Sequence, residues 1–180
     1  MAVLRADAQR NLDRILEAAA DAFAEVGPDV TIDEIARRAG VGHGTVFRRF
    51  PTKEALRAAI MRMRVEELLE RAQELLERPD PGAAFEEFVW FAAESARRDR
   101  ALFEGIETCP DASVMECKEE LHELGDKLIQ RARRAGAIRR DLNAQDVGSL
   151  VGAAVQASGH ADDPDAWRRY VRVVLDGLRP

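Results

Sequence analysis

His43, Thr45, Arg48, Arg49 and Lys53 stand within eleven residues of one another, interleaved with Gly44 and Phe47. Between them they offer ring nitrogens, a hydroxyl, two guanidinium forks and an ammonium. Such groups hydrogen-bond the edges of bases and neutralise phosphates. The neighbourhood is basic as well. Residues 37 to 64 hold Arg37, Arg38, Arg48, Arg49, Lys53, Arg57, Arg62 and Arg64 against one acid, Glu54, in a chain of net charge −6. Phosphate neutralisation by clustered cations supplies most non-specific affinity for nucleic acid. A solvated helix face could carry the same charges, so the elements that hold these residues decide the matter.

Those elements read as two short helices around a glycine turn. Thr31 suits an N-cap, its hydroxyl accepting from a first-turn N–H, and Glu34 three residues later completes a capping box. Val30 and Ile35 flank the cap at the spacing of a hydrophobic staple. Ile32, Ile35 and Ala36 give the first short helix an inner face. Gly40 falls where a left-handed residue stops a helix, and Val41 can plug the corner. The second helix is expected from about Gly42 to Arg49, with Val46 and Phe50 inward and His43, Gly44, Thr45, Phe47, Arg48 and Arg49 outward. Pro51 ends it. Thr52 then caps a further helix that Lys53 opens, and a lysine at a helix N-terminus suits a phosphate. This is the layout of a helix-turn-helix that reads DNA. Gly40, Gly42 and Gly44 do not make a nucleotide loop, since no strand precedes them and no Gly-Lys-Ser/Thr follows.

The segment resembles the DNA-binding domain of the tetracycline-repressor (TetR) family. The residues that carry the resemblance are Thr31, Ala39-Gly40-Val41, Gly44-Thr45-Val46-Phe47 and Phe50-Pro51-Thr52-Lys53-Glu54-Ala55-Leu56. It covers residues 9 to 60. It implies that Thr31, His43, Gly44, Thr45, Phe47, Arg48, Arg49 and Lys53 face double-stranded operator DNA. Two positions depart from the family pattern. Phe47 replaces a usual tyrosine and loses a hydroxyl-to-phosphate bond. Arg49 replaces a common histidine and could supply that phosphate contact or reach a guanine.

The remainder is helical in pattern. Leu12, Ile15, Leu16, Ala19, Phe23 and Val26 recur on one face of a first helix, about Gln9 to Glu25. Arg5 and Arg10 at its start either touch the DNA backbone or belong to the surface. From Lys53 the pattern runs unbroken to about Glu77, then breaks at Arg78-Pro79-Asp80-Pro81-Gly82, where Asp80 can cap and Pro81 suits the first helical position. Residues 1–52 are thus expected to form the reading domain, residue span 53–77 a linking helix, and 53–180 a helical domain. Val114, Cys117, Leu121, Leu124 and Leu128 keep three-four spacing up to a stop at Gly136. Asn143 caps the next helix, about Ala144 to Ser158, whose Gly148 and Gly152 give it a smooth side. Asp163-Pro164 starts a last helix striped by Trp167, Tyr170, Val171, Val174, Leu175 and Leu178. That stripe either closes the protomer's own core or meets the same helices of a second copy in a four-helix bundle.

The expected fold is therefore all-α: an N-terminal three-helix reading domain and a C-terminal helical bundle, about nine helices in all. A bundle can enclose an apolar pocket, and the resemblance places a small-molecule site there. The candidates are Met61, Trp90, Phe103, Cys109, Met115 and His122, suited to an apolar or aromatic effector.

Composition narrows the rest. Cys109 and Cys117 give no disulfide framework. With His122 they make only a loose C-x7-C-x4-H, so pocket-lining cysteines or a redox pair are expected and no metal or cofactor is called for. No stretch reaches the ~18 apolar residues that span a bilayer, and the first ten residues lack an apolar signal core, so the chain is expected to stay in the cytosol. Charge is divided: residues 1–64 hold eleven bases and nine acids, net +2, and residues 65–180 hold sixteen and twenty-four, net −8. The leading reading is a homodimeric transcriptional repressor released from a palindromic operator by a small molecule. A dimeric DNA-binding protein without a ligand is the alternative. An all-helical enzyme is a remote third, because His43, His122 and His160 stand in no nucleophile–base or metal motif.

Overall fold

The structure, a computed structural model, describes residues 2–27, 29–99, 111–159 and 161–180, with side chains from residue 9 onward. Eight helices and no strand occur among the described residues: α1 (Ala2–Val26), α2 (Ile32–Ala39), α3 (His43–Arg49), α4 (Lys53–Leu76), α5 (Pro81–Arg98), α6 (Ala112–Arg134), α7 (Ala144–Ser158) and α8 (Ala166–Gly177). No described helix is long and apolar enough to cross a membrane. Two compact units form, one from Met1–Met63 and Asp99–Asp111, the other from Arg64–Arg98 and Ala112–Pro180. The division falls inside α4.

The first unit is built on the stripe of α1. Ile15, Leu16, Ala19 and Phe23 are buried together with Val30, Ile35, Ala36, Ala39, Val46, Phe50, Leu56 and Ile60. α1 begins seven residues earlier than its apolar spacing suggests, and Ala, Leu and Arg in that stretch are strong helix formers. Val26, expected on the inner face, is 52 % exposed. The helix is at its end there, and Gly27 with φ +83° turns the chain away.

Gly40 also has a left-handed backbone, φ 65° and ψ 36°, and closes α2 as expected. Its neighbour Val41 donates N–H to the Ala36 carbonyl at 3.0 Å. Arg14 of α1 reaches the same corner and donates from Nη2 to the Ala39 carbonyl at 2.7 Å. A Cβ at position 40 would lie 2.8 Å from that Nη2. Gly40→Ala should therefore both strain the backbone and displace the Arg14 clamp, lowering the stability of the first unit by about 1–2 kcal/mol. Denaturant melts of the two proteins check this, and equal midpoints would overturn it.

In the second unit local stop and start signals act where they stand. Asp80 accepts from the N–H groups of Gly82 and Ala83 at 2.9 and 3.0 Å, and α5 starts at Pro81. Gly136, φ +71°, stops α6, and the Ala137 N–H reaches back to Ala132 at 2.9 Å. Asn143 and Asp146 form a reciprocal capping box on α7. One apolar cluster joins α5, α6, α7 and α8 through Phe85, Val89, Ile129, Val151, Trp167 and Val171. Another joins α4 to α5 and α6 through Val65, Leu69, Leu75, Ala84 and Leu128. α4 has no base in its last turn. Arg131 of α6 serves instead, donating to the carbonyls of Leu76 and, at 2.7 Å, of Arg78. A cation there satisfies carbonyls that the helix end leaves open.

Candidate nucleic-acid interface

α2, its turn and α3 carry the predicted contact residues from Thr31 to Arg49, and Lys53 follows at the start of α4. α3 is held from below by Val46 and Phe50, which are 0 % and 6 % exposed, so every other residue of the helix is pushed outward. His43, Gly44, Thr45, Phe47, Arg48 and Arg49 are all exposed. Phe47 presents its ring to solvent at 52 % exposure, unusual for a phenyl group unless a surface covers it. The cap of α3 is Gly42, which contributes no side-chain bond. Nothing lies within 4 Å of where a Cβ would stand on Gly44, so this face is open to a close partner.

Thr31 caps α2, its hydroxyl accepting from the Glu34 N–H at 3.2 Å. The expected return half of the box is not made. Glu34 turns instead to Arg37 (2.9 and 2.7 Å) and Arg38 (2.7 Å). Three bonds to two guanidiniums, in which both partners are charged, outweigh one bond from an uncharged backbone N–H. Those bonds, to Arg37 first and then Arg38, hold the Glu34 carboxyl down to about 2, below its ordinary 4.5. A carboxyl depressed in the folded state stabilises it fully above its unfolded value, and loses that contribution as pH falls through the folded value. The stability gap between the native protein and Glu34→Gln should thus be present at pH 6 and shrink from about pH 4.5 toward 2. Melts across that window test it, and a gap independent of pH would sink the assignment.

The same pairs reduce the free positive charge of the stretch. Arg38 also binds Glu25 at 2.6 Å, an acid that lies outside residues 37 to 64. Arg64 is 2 % exposed and binds Glu67 at 2.7 Å, which also takes Arg98 at 3.0 Å. Arg37, Arg38 and Arg64 therefore bring less free charge than their number in the sequence implies. Arg48 and Arg49 remain. Arg48 lies along its own helix, Nε donating to the Gly44 carbonyl at 3.0 Å. Arg49 makes no hydrogen bond or ion pair among the described residues. Thr52 caps α4, accepting from the Ala55 N–H at 3.1 Å, and Lys53 opens that helix, half-buried.

Asp33 was missed by sequence reasoning. Its Oδ1 lies 2.5 Å from Nδ1 of His43. The ring of His43 stacks on Phe47, centroids 6.0 Å apart and planes inclined by 14°. Ten residues and a turn separate Asp33 from His43, and no local periodicity reports a pair of that span.

Of the six candidates for a small-molecule site, four stand among the described residues. Met61 is buried at 3 % in the first unit. Met115 and His122, seven residues apart on one face of α6, are exposed. Spacing gave them a common face but not its direction. Phe103, Cys109 and His160 lie outside the described residues, and Cys117 is half-buried against the second unit's core. Trp90 lines an open cleft of about 470 Å³ shared with Arg168, Arg169 and Arg172. Its cations are already paired: Arg172 to Glu86 at 2.7 Å, Arg169 to Asp163, and Arg168 to Asp165 at 3.4 Å. No metal-binding cluster of His, Cys, Asp or Glu stands among the described residues.

An all-helical chain whose short exposed helix is set on a capped partner by a glycine corner is a helix-turn-helix protein. Comparison with known proteins makes the class more specific. The family model for the C-terminal domain of SbtR-like transcriptional regulators matches residues 80–180, and that for bacterial regulatory proteins of the tetR family matches 15–60. A TetR transcription regulatory protein from Mycobacterium vanbaalenii is 37% identical, with 98% of this chain and 99% of that one covered and a TM-score of 0.75. A TetR transcriptional regulator from Streptomyces coelicolor is 30% identical over 93% and 98% of the two chains, at a TM-score of 0.76. An HTH-type transcriptional repressor from Mycobacterium tuberculosis is 54% identical over 48 residues, 26% of each protein. The match thus spans about a quarter of the length of the curated relatives. The chain belongs to the TetR family of bacterial regulatory proteins.

Proposed function

We propose that this chain is a sequence-specific transcriptional repressor that binds a palindromic operator as a homodimer. The observation that carries this reading is α3, anchored by Val46 and Phe50 with its whole outer face exposed. In use, α3 lies in the major groove, with His43 and Thr45 at base edges, Arg48 and Arg49 on phosphates or guanine, and Lys53 with the first N–H groups of α4 on the flanking backbone. Two copies would read half-sites one helical turn apart. Exposed apolar side chains on the last two helices, Leu150, Tyr170 and Val173, support pairing there, as does the open space over Gly148 and Gly152.

Release by a small apolar or aromatic ligand in the second unit completes the reading. Such a ligand acts only through its different affinity for the bound and released arrangements. Met115 and His122, facing solvent, favour a second reading in which the second unit dimerises and senses nothing. A melt against a compound library separates the two, since a true ligand raises apparent stability.

The test of DNA binding is selection of bound duplexes from a random pool. An enriched inverted repeat supports a dimeric, sequence-specific regulator. Binding without enrichment would reduce the chain to a phosphate binder, and no binding would overturn the reading.

A further inference from the structure

We infer that Asp33 is a positioning residue that fixes the hydrogen-bonding sense of His43 and thereby sets which base the tip of α3 accepts. The inference rests on the DNA-binding reading above. Its starting point is the 2.5 Å contact between Asp33 Oδ1 and His43 Nδ1. A carboxylate only accepts hydrogen bonds, so the proton of the contact sits on Nδ1. In the neutral ring the other nitrogen, Nε2, then carries the lone pair and can only accept.

The ring has little freedom to escape this arrangement. Phe47, one turn further along α3, stacks against it with planes 14° apart. Asp33 holds one edge and Phe47 one face. Nε2 lies on the edge away from Asp33 and makes no hydrogen bond among the described residues. His43 is the first residue of α3 and its side chain is 54 % exposed. The group it offers to a groove is therefore one acceptor of fixed direction.

Base edges in the major groove answer such a group selectively. Adenine N6 and cytosine N4 carry amine donors, whereas guanine presents N7 and O6 and thymine O4, all acceptors. An acceptor at Nε2 favours adenine or cytosine and meets repulsion from guanine and thymine. Without Asp33, Nε2 could take the proton instead and donate to guanine. Asp33 makes no base contact in this scheme. It also places negative charge beside the DNA, a cost in affinity that an acid at this position must offset by selectivity.

The experiment is the random-duplex selection at pH 8, repeated with Asp33→Asn, His43→Ala and the double variant, each followed by binding of single-base operator variants. The amide in Asp33→Asn offers Nδ1 either a donor or an acceptor, which frees the tautomer while keeping size. The native protein should restrict one position per half-site to adenine or cytosine. Asp33→Asn should relax that position alone, lowering discrimination against guanine about fivefold to tenfold. His43→Ala should relax the same position, and adding Asp33→Asn to it should change nothing further there. That coupling is what a merely structural role for Asp33 would not produce.

Three results would overturn the inference: an unchanged selection with Asp33→Asn, effects of the two substitutions at different positions, or a uniform loss of affinity across all sequences. If the native protein itself enriches no sequence, DNA reading fails and this inference falls with it. An enriched repeat that ignores Asp33→Asn leaves the reading standing and removes only the relay.

Discussion

The double substitution Arg48→Ala and Arg49→Ala should weaken operator binding about a hundredfold or more while leaving the fold and the dimer intact. Each arginine that meets a phosphate or a guanine contributes about 1–3 kcal/mol. Removing two compounds to about 2–6 kcal/mol, roughly one and a half to four powers of ten in affinity. The salt dependence should flatten as well, by about 0.9 in the logarithmic slope for each phosphate that is no longer neutralised. Stability should move by no more than about 0.5 kcal/mol, because both side chains are exposed and the only bond removed is the one from Arg48 to the Gly44 carbonyl. Ion pairing elsewhere in the head sharpens the expectation. Arg37 and Arg38 are engaged with Glu34 and Glu25, so they cannot easily replace the missing charge. Titration of the enriched duplex at several salt concentrations, beside a melt, tests the claim. Undiminished affinity would remove α3 as the reading helix.

How much of this was legible in the sequence follows the distance over which each cause acts. Thr31, Gly40, Asp80, Gly136 and Asn143 act on backbone within three or four residues of themselves, and each lies where its type and spacing put it. The reading head was legible for the same reason, since a cap, a corner and two inward residues nearly determine seventeen positions from 32 to 48. Contacts between distant residues left no such mark. Arg14 reaches Ala39 across 25 residues, Arg38 reaches Glu25 across 13, and Arg131 reaches Leu76 across 55. Glu34 shows how a non-local choice alters a local motif. The residue type fits a capping box, but two adjacent arginines offered the carboxylate stronger bonds. The ligand candidates were less legible for a related reason. Periodicity groups Met115 with His122, yet only packing decides whether that shared face looks into the bundle or out of it.

The last helix supplies the second large effect, because one apolar stripe there has two fates. Trp167 and Val171 are 3 % and 0 % exposed, while Tyr170 and Val173 are 37 % and 69 % exposed. Trp167 meets Trp90 edge to face at 6.0 Å, and the guanidiniums of Arg97 and Arg168 lie 5.4 and 4.5 Å from its ring. Trp167→Ala should therefore cost about 3–5 kcal/mol, a large part of the 5–15 kcal/mol that holds an ordinary domain. Val173→Asp touches no core and should leave the protomer's own stability within about 0.5 kcal/mol. On the dimer reading it instead buries an unpaired carboxylate between two copies, so the dimer should dissociate and operator affinity should fall with it. Sedimentation and concentration-dependent melts separate the two outcomes. A dimer that survives Val173→Asp would move the interface elsewhere, and an unchanged melt for Trp167→Ala would contradict the burial of the indole. Helical spacing alone places Trp167, Tyr170 and Val171 on one apolar stripe, with Val173 outside it. The division between buried and exposed residues is set by α5 and α7, which pack over one flank of α8 and leave the other exposed among the described residues.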